Sequence, residues 1–220
     1  MSAQHTKLVW LTLFAIAMAN VEAAIVVHLR SLYYPDHPLQ VFPLNLMTHR
    51  DLAIELIREI ATAVMICAVA LLSEKTVMRR FAAFVFVFGL WDIFYYAWLR
   101  LLIGWPLNWT EWDVLYLVPW PWLGPWIAPV SIALVFTAWG AWIISSAHAY
   151  RFSKPGLVLY IAGTGACLLA FLLPGAMLLP GGEEAFHGYT PGAFSWGLFI
   201  PGILVMTWAL FSITRNSEDS

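Results

Sequence analysis

The sequence predicts an all-α integral membrane bundle of about six transmembrane helices with a tryptophan-rich interfacial loop on the outer side. Three observations carry this. The 220 residues are 61% hydrophobic and only 11% charged, where a soluble domain is about a quarter charged. Apolar runs close to the ~20 residues that a bilayer core requires recur along the chain. The stretch GWPLNWTEWDVLYLVPWPWLGPW, residues 104–126, holds six tryptophans, and tryptophan prefers the membrane–water interface.

The apolar runs fall at 8–27, 52–72, 81–103, 127–146, 157–179 and 193–213, so residues 1–220 read as a single transmembrane domain. Lys and Arg in the connections set the orientation. Lys7, then Lys75, Arg79 and Arg80, then Arg151 and Lys154, then Arg215 mark one side. This places both termini in the cytoplasm. Residues 1–19 carry a competing reading as a signal peptide cleaved after Ala17-Met18-Ala19, which would leave five spans and Asn20 as an outer N-terminus. The apolar run continues to Val27, which favours a span. Net charge is −2, so a nucleic-acid partner is not expected; the lipid bilayer and other membrane proteins are. Cys67 and Cys167 both lie in apolar runs and read as packing residues, not a disulfide or a CxxC metal site.

Ionisable residues inside the spans are the unusual feature. At 1.5 Å per residue, Glu22, Arg58, Glu59, Asp92 and Tyr95 come out about 8 to 13 Å below the outer boundary. Glu55, Arg58, Glu59 and Thr62 recur at i, i+3, i+4 and i+7, one face of a helix. Asp92, Tyr95 and Tyr96 share a face in the same way. A mid-span charge costs about 2.5 to 3.5 kcal/mol on insertion scales. Both faces should therefore turn inward, toward each other and toward Glu22. Arg30 and Arg100 read as interfacial residues that reach for headgroups; the alternative is that they complete the ion pairing of the cluster.

In that cluster the acids outnumber Arg58. Protonation or a bound cation would resolve the surplus. Glu22, Glu59 and Asp92 are suitable oxygen ligands for a divalent metal ion, and His28 and His49 near the outer ends of the first two spans would add imidazoles. In an enzyme Glu59 or Asp92 would serve as general base or metal ligand, with Arg58 holding an anionic group. Glu22, Glu55, Arg58, Tyr95 and Tyr96 are the expected ligand-binding set. The structural alternative is that Arg58 pairs with Glu22 or Asp92 and ties three helices together. An accessory subunit of a larger complex and a proton-coupled transporter are the competing functions. A transporter would need a polar route through the inner half, where polar groups are few.

The connections add detail. Thr110-x-x-Asp113 resembles a capping box and predicts a short interfacial helix over 111–118, followed by an extended return through Pro119, Pro121 and Pro125. The alternative is a lid over the cluster, with Glu111 or Asp113 facing it. Glu183, Glu184 and His187 read as a solvated loop. Ala162, Gly163, Gly165, Ala166 and Cys167 offer a small-residue face for helix contact. Pro201-Gly202 should kink the sixth span. His148 has no partner histidine at its depth, so haem is not expected.

At WDIFYY (91–96), with REIAT (58–62), VEAAIVVHLR (21–30), GWP (104–106) and PWPWLGP (119–125), the chain resembles a family of bacterial polytopic membrane proteins. The resemblance covers residues 21–130. It implies a multi-pass protein of the bacterial inner membrane and carries no activity with it.

Overall fold

The computed structural model describes residues 3–212 and 214–215. Its frame consists of α1 (Ala3–Tyr33), α2 (His49–Ser73), α3 (Val77–Ile103), α4 (Ile127–Ser145), α5 (Lys154–Leu178) and α7 (Trp196–Phe211). A five-residue helix, α6 (Gly182–Phe186), follows α5. Five of these helices are long and apolar enough to cross a membrane, and α7, at 16 residues, is shorter. The chain is a multi-pass membrane protein built as an α-helical bundle.

Local chemistry sets the helix ends. The Thr48 hydroxyl accepts the Asp51 N–H at 3.2 Å and opens α2. The hydroxyls of Thr76 and Ser153 do the same for α3 and α5. These side chains satisfy amides that a helix N-terminus leaves free. Gly104 closes α3 with φ of 76°, a left-handed conformation that glycine adopts without strain. Arg100 then donates to Gly104 O at 2.5 Å and Pro106 O at 2.7 Å. It caps a helix end, where a reach to headgroups was expected.

One end of the bundle gathers the start of α1, the α2–α3 turn, the α4–α5 turn and the end of α7. Lys7 pairs with Glu74 at 2.7 Å. Arg79 donates to the Ser146 carbonyl. The short strand β3 (Tyr150–Arg151) pairs antiparallel with β4 (Thr214–Arg215). The other end joins segment 34–48 to segment 187–195, with Gly188 N–H donating to Leu44 O at 2.9 Å and Leu44 N–H to Tyr189 O at 3.1 Å. So α7 runs between the same two ends as the long helices.

The centre is α3, packed along both α1 and α4, while α5 pairs with α7. Missing side chains permit these close approaches. A Cβ on Gly89 would lie 2.5 Å from Ala133 O, and one on Gly163 would lie 2.5 Å from Met206 N. The expected small-residue face on α5 is thus used at Gly163, Ala166 and Cys167, against Gly202 of α7. Pro201 does not interrupt α7, which is continuous from Trp196 to Phe211. Helix α1 likewise runs unbroken through Ala17-Met18-Ala19.

The expected helix over 111–118 is absent. Trp112–Tyr116 is a strand, β1, paired antiparallel with β2 (Trp122–Pro125) in the register Trp112↔Pro125, Asp113↔Gly124, Val114↔Leu123. Pairing overrides the local capping pattern, because Trp, Val and Tyr suit a strand and Pro119 and Pro121 forbid helix beyond it. The hairpin leans into the bundle. Trp120 Nε1 donates to Leu172 O at 3.0 Å, about 9 Å below the end of α5 by helical rise.

Gly163→Val and Gly89→Val are expected to destabilise the protein by about 1 to 3 kcal/mol through overpacking. Gly165→Ala, with nothing within 4 Å of the added carbon, should leave stability unchanged or slightly raised. Thermal unfolding in mild detergent measures all three.

Candidate functional site

Helix α2 buries one stripe: Glu55, Glu59, Thr62, Ile66 and Ala70. Its opposite face, including Ile57, Val64 and Leu72, is exposed. The half of the buried stripe nearer His49 is polar, as the spacing of Glu55, Arg58, Glu59 and Thr62 predicted. The polar groups dock α2 on its neighbours.

Arg58 is the hub. Its Nε donates to Glu55 Oε2 at 2.8 Å, and its Nη2 pairs with Glu55 Oε1. Its Nη1 pairs with Glu22 of α1. The Thr62 hydroxyl donates to the same Glu22. Glu22 is only 4% exposed, so its negative charge needs these partners. Of the two partners expected for Arg58, Glu22 takes it and Asp92 does not.

Glu59 points elsewhere. Both its carboxylate oxygens accept the Leu117 N–H at 3.1 Å. The Tyr116 hydroxyl donates to Glu59 O at 3.3 Å. Leu117 sits at the tip of the hairpin, so α2 holds the hairpin from one side as α5 holds it from the other. Irregular backbone at membrane depth is tolerated only where it is buried in protein or lines a wet cavity, and here side chains supply part of the pairing it needs.

A second ion pair fastens the base of the hairpin. Arg30 Nη2 donates to Asp113 Oδ1 at 3.2 Å, with both side chains 5% exposed. The Arg30 guanidinium lies 3.9 Å from the centroid of the Trp105 ring. The Tyr96 hydroxyl donates to Asp113 Oδ2 at 3.3 Å. Burial raises the Asp113 carboxyl above the usual aspartate range, and Arg30, the Val114 amide and Tyr96 pull it back. Burial also raises the Tyr116 phenol, with Glu59 adding to the shift and Arg58 opposing it. Arg30 is therefore not an interfacial residue. It lies eight residues after Glu22, on the same helical face, and that spacing was the signal for its burial. The lid reading holds for Asp113, which faces inward. Glu111 instead bonds its own loop at Leu107 N–H, 2.8 Å.

Asp92 lies within electrostatic reach of Asp113 and Tyr96. Its Oδ2 is buried without a hydrogen-bond partner, as are Nη1 of Arg30 and Nε1 of Trp91. Tyr95 stacks edge-on against Tyr96 at 4.9 Å and lies within electrostatic reach of Arg30, Arg58, Glu55 and Asp113. The site thus brings together Glu22, Glu55, Arg58, Glu59, Asp92, Tyr95 and Tyr96. Arg30, Asp113, Trp105 and the Leu117 amide complete it.

It does not bring in the histidines. His28 is exposed. His49 is 90% exposed and 3.9 Å from the exposed Glu183. No group of three or more His, Cys, Asp or Glu side chains that could hold a metal ion occurs among the described residues. Glu22, Glu59, Asp92, His28 and His49 are therefore not one ligand sphere. Glu22 and Glu59 are committed to Arg58 and Leu117, and both histidines lie on the surface of the molecule. Neither a family model, a curated protein nor a solved structure matches the chain, so the site is read from its own geometry.

Replacing Arg58 leaves two buried carboxylates uncompensated. Arg58→Met is expected to cost about 3 to 5 kcal/mol, and Glu22→Gln in the same chain should restore part of it. A double-mutant cycle on unfolding in detergent measures the coupling.

Proposed function

We propose that the protein binds a small cation from the outer side, in the intramembrane carboxylate cluster closed by the hairpin. The observation that carries this is Asp92 Oδ2, buried and without a hydrogen-bond partner. Five acids, Glu22, Glu55, Glu59, Asp92 and Asp113, face two arginines, Arg58 and Arg30. Both arginines are paired with carboxylates other than Asp92. Of the five, Asp92 is the one with a buried oxygen that lacks a partner among the described residues. Tyr96, within electrostatic reach of Asp92, and Tyr95 on the same helical face supply aromatic surface, which favours an organic ammonium or a monovalent ion. A divalent ion would want more oxygen ligands than Asp92 alone supplies. Within this reading Arg58 is a structural hub and Asp92 the ligand-binding group.

The location that goes with this reading is the bacterial inner membrane, with both termini cytoplasmic. Its support is the gathering of Lys7, Lys75, Arg79, Arg80, Arg151 and Lys154 at one end of the bundle, the side that faces the cytoplasm under the positive-inside rule.

The test is a titration with methylammonium at constant ionic strength, in phosphatidylcholine nanodiscs, followed by tryptophan fluorescence. A saturable change is expected because Trp91 adjoins Asp92. Asp92→Asn should weaken binding about tenfold or more, the scale of one charge-assisted hydrogen bond, while the surface variant His187→Gln should bind as wild type. Equal affinity in Asp92→Asn overturns the proposal. Protein purified from its native membrane should also carry no stoichiometric divalent metal; a metal lost on Asp92→Asn would replace this reading with a metal site.

A further inference from the structure

A second site lies at the opposite end of the molecule. A groove of about 740 Å3 opens between the start of α3, the α4–α5 turn and the start of α5. Its floor is apolar, formed by Val77, Met78, Phe81, Ile143 and Leu157. Two of these are well exposed, Val77 at 82% and Leu157 at 45%. Its rim carries Arg79, His148 and Arg151. Arg79 is already engaged, by the carbonyls of Ile144 and Ser146 and by Glu74 at 3.8 Å. Arg151 is exposed and has no ion-pair partner among the described residues. Lys75 and Lys154, also exposed and unpaired among the described residues, flank the rim in sequence.

Among the described residues the charge at this end is lopsided. Glu74 is the one acid there among the described residues, and Lys7 and Arg79 neutralise it. Among the described residues the remaining cations therefore present a positive field beside an apolar groove. One class of molecule matches both features, an amphiphile with an anionic head and a hydrocarbon tail. We infer that the groove is a binding site for an anionic phospholipid of the inner leaflet, its phosphodiester on Arg151 and His148 and one acyl chain along Val77, Phe81 and Leu157. Basic pockets between helices on the cytoplasmic side suit such headgroups, and each Lys or Arg near the surface adds about fivefold to the affinity. The inference does not depend on the outer site.

The experiment reconstitutes the protein in vesicles of equimolar phosphatidylglycerol and phosphatidylcholine, re-extracts it in mild detergent and counts the retained lipids by mass spectrometry. About one phosphatidylglycerol per chain is expected, in preference to phosphatidylcholine. Arg151→Gln/His148→Gln should lower that retention about fivefold or more while circular dichroism stays unchanged. Leu157→Trp, which fills the floor and leaves the charges in place, should also lower it. Equal retention of the two lipids overturns the inference. So does full retention in Leu157→Trp alongside loss in the double variant, which would mean general charge attraction without a groove. Displacement of the lipid by inorganic phosphate alone would make the site a phosphate site and overturn it too.

Discussion

A charge in the hydrocarbon layer must find its partner inside the protein, and the Glu22–Arg58–Glu55 triad is where this chain meets that demand. Apart from it, helix α2 is held by the Ile66 and Ala70 contacts in the core and by its packing on α3. Helices α1 and α2 do not pack closely on one another, and most of the surface of α2 is exposed apolar side chain. Within lipid that surface gives no preference for protein over bilayer. Unpaired, a mid-span Arg or acid costs about 2.5 to 3.5 kcal/mol on insertion scales. Pairing removes the cost, and it can do so only with α2 in one place and one rotation. The same logic recurs at the other end, where Lys7, Glu74 and Arg79 join α1, α2 and α3.

The hairpin depends on α2 being in place. Leu117 N–H reaches Glu59 because Arg58, one residue earlier, has already fixed the rotation of the helix. On the far side, the carbonyl of Pro121 presses so closely on Gly175 that an added Cβ would lie 2.2 Å from it. Gly124 likewise leaves room for Phe171 and Phe194. The hairpin is thus wedged between α2 and α5 and latched at its base by Arg30 and Asp113. It forms a cover over the cluster that contains Asp92.

Much of this was legible in the sequence for a plain reason. Apolar length and the i, i+3, i+4 spacing of polar groups are local properties, and lipid penalises their misplacement heavily. They gave the spans, the inward face of α2 and the set Glu22, Glu55, Arg58, Glu59, Asp92, Tyr95 and Tyr96. What the sequence hid was settled by tertiary contact. The pattern Thr110-x-x-Asp113 satisfies the rule for a helix start, yet Asp113 is drawn to Arg30 and the segment pairs as a strand. Arg30 and Arg100 sit where snorkelling is the usual outcome, but one finds a buried acid and the other a free helix end. The histidines failed as ligands for different reasons: His28 lies six residues after Glu22, about 240° further round α1, and is exposed, while His49 is the first residue of α2 and lies on the surface.

The two cysteines acquire a use from this arrangement. Cys167 is buried between α5 and α7, its thiol 3.8 Å from Phe199 O. Cys67 stands exposed on α2, on the side away from the bundle. A thiol-reactive dye or spin label that partitions into the bilayer would therefore find one cysteine and miss the other. The chain already carries a single-site probe on the helix that the Glu22–Arg58–Glu55 triad fastens to α1, and any rocking of that helix against α3 could be followed without engineering a new cysteine.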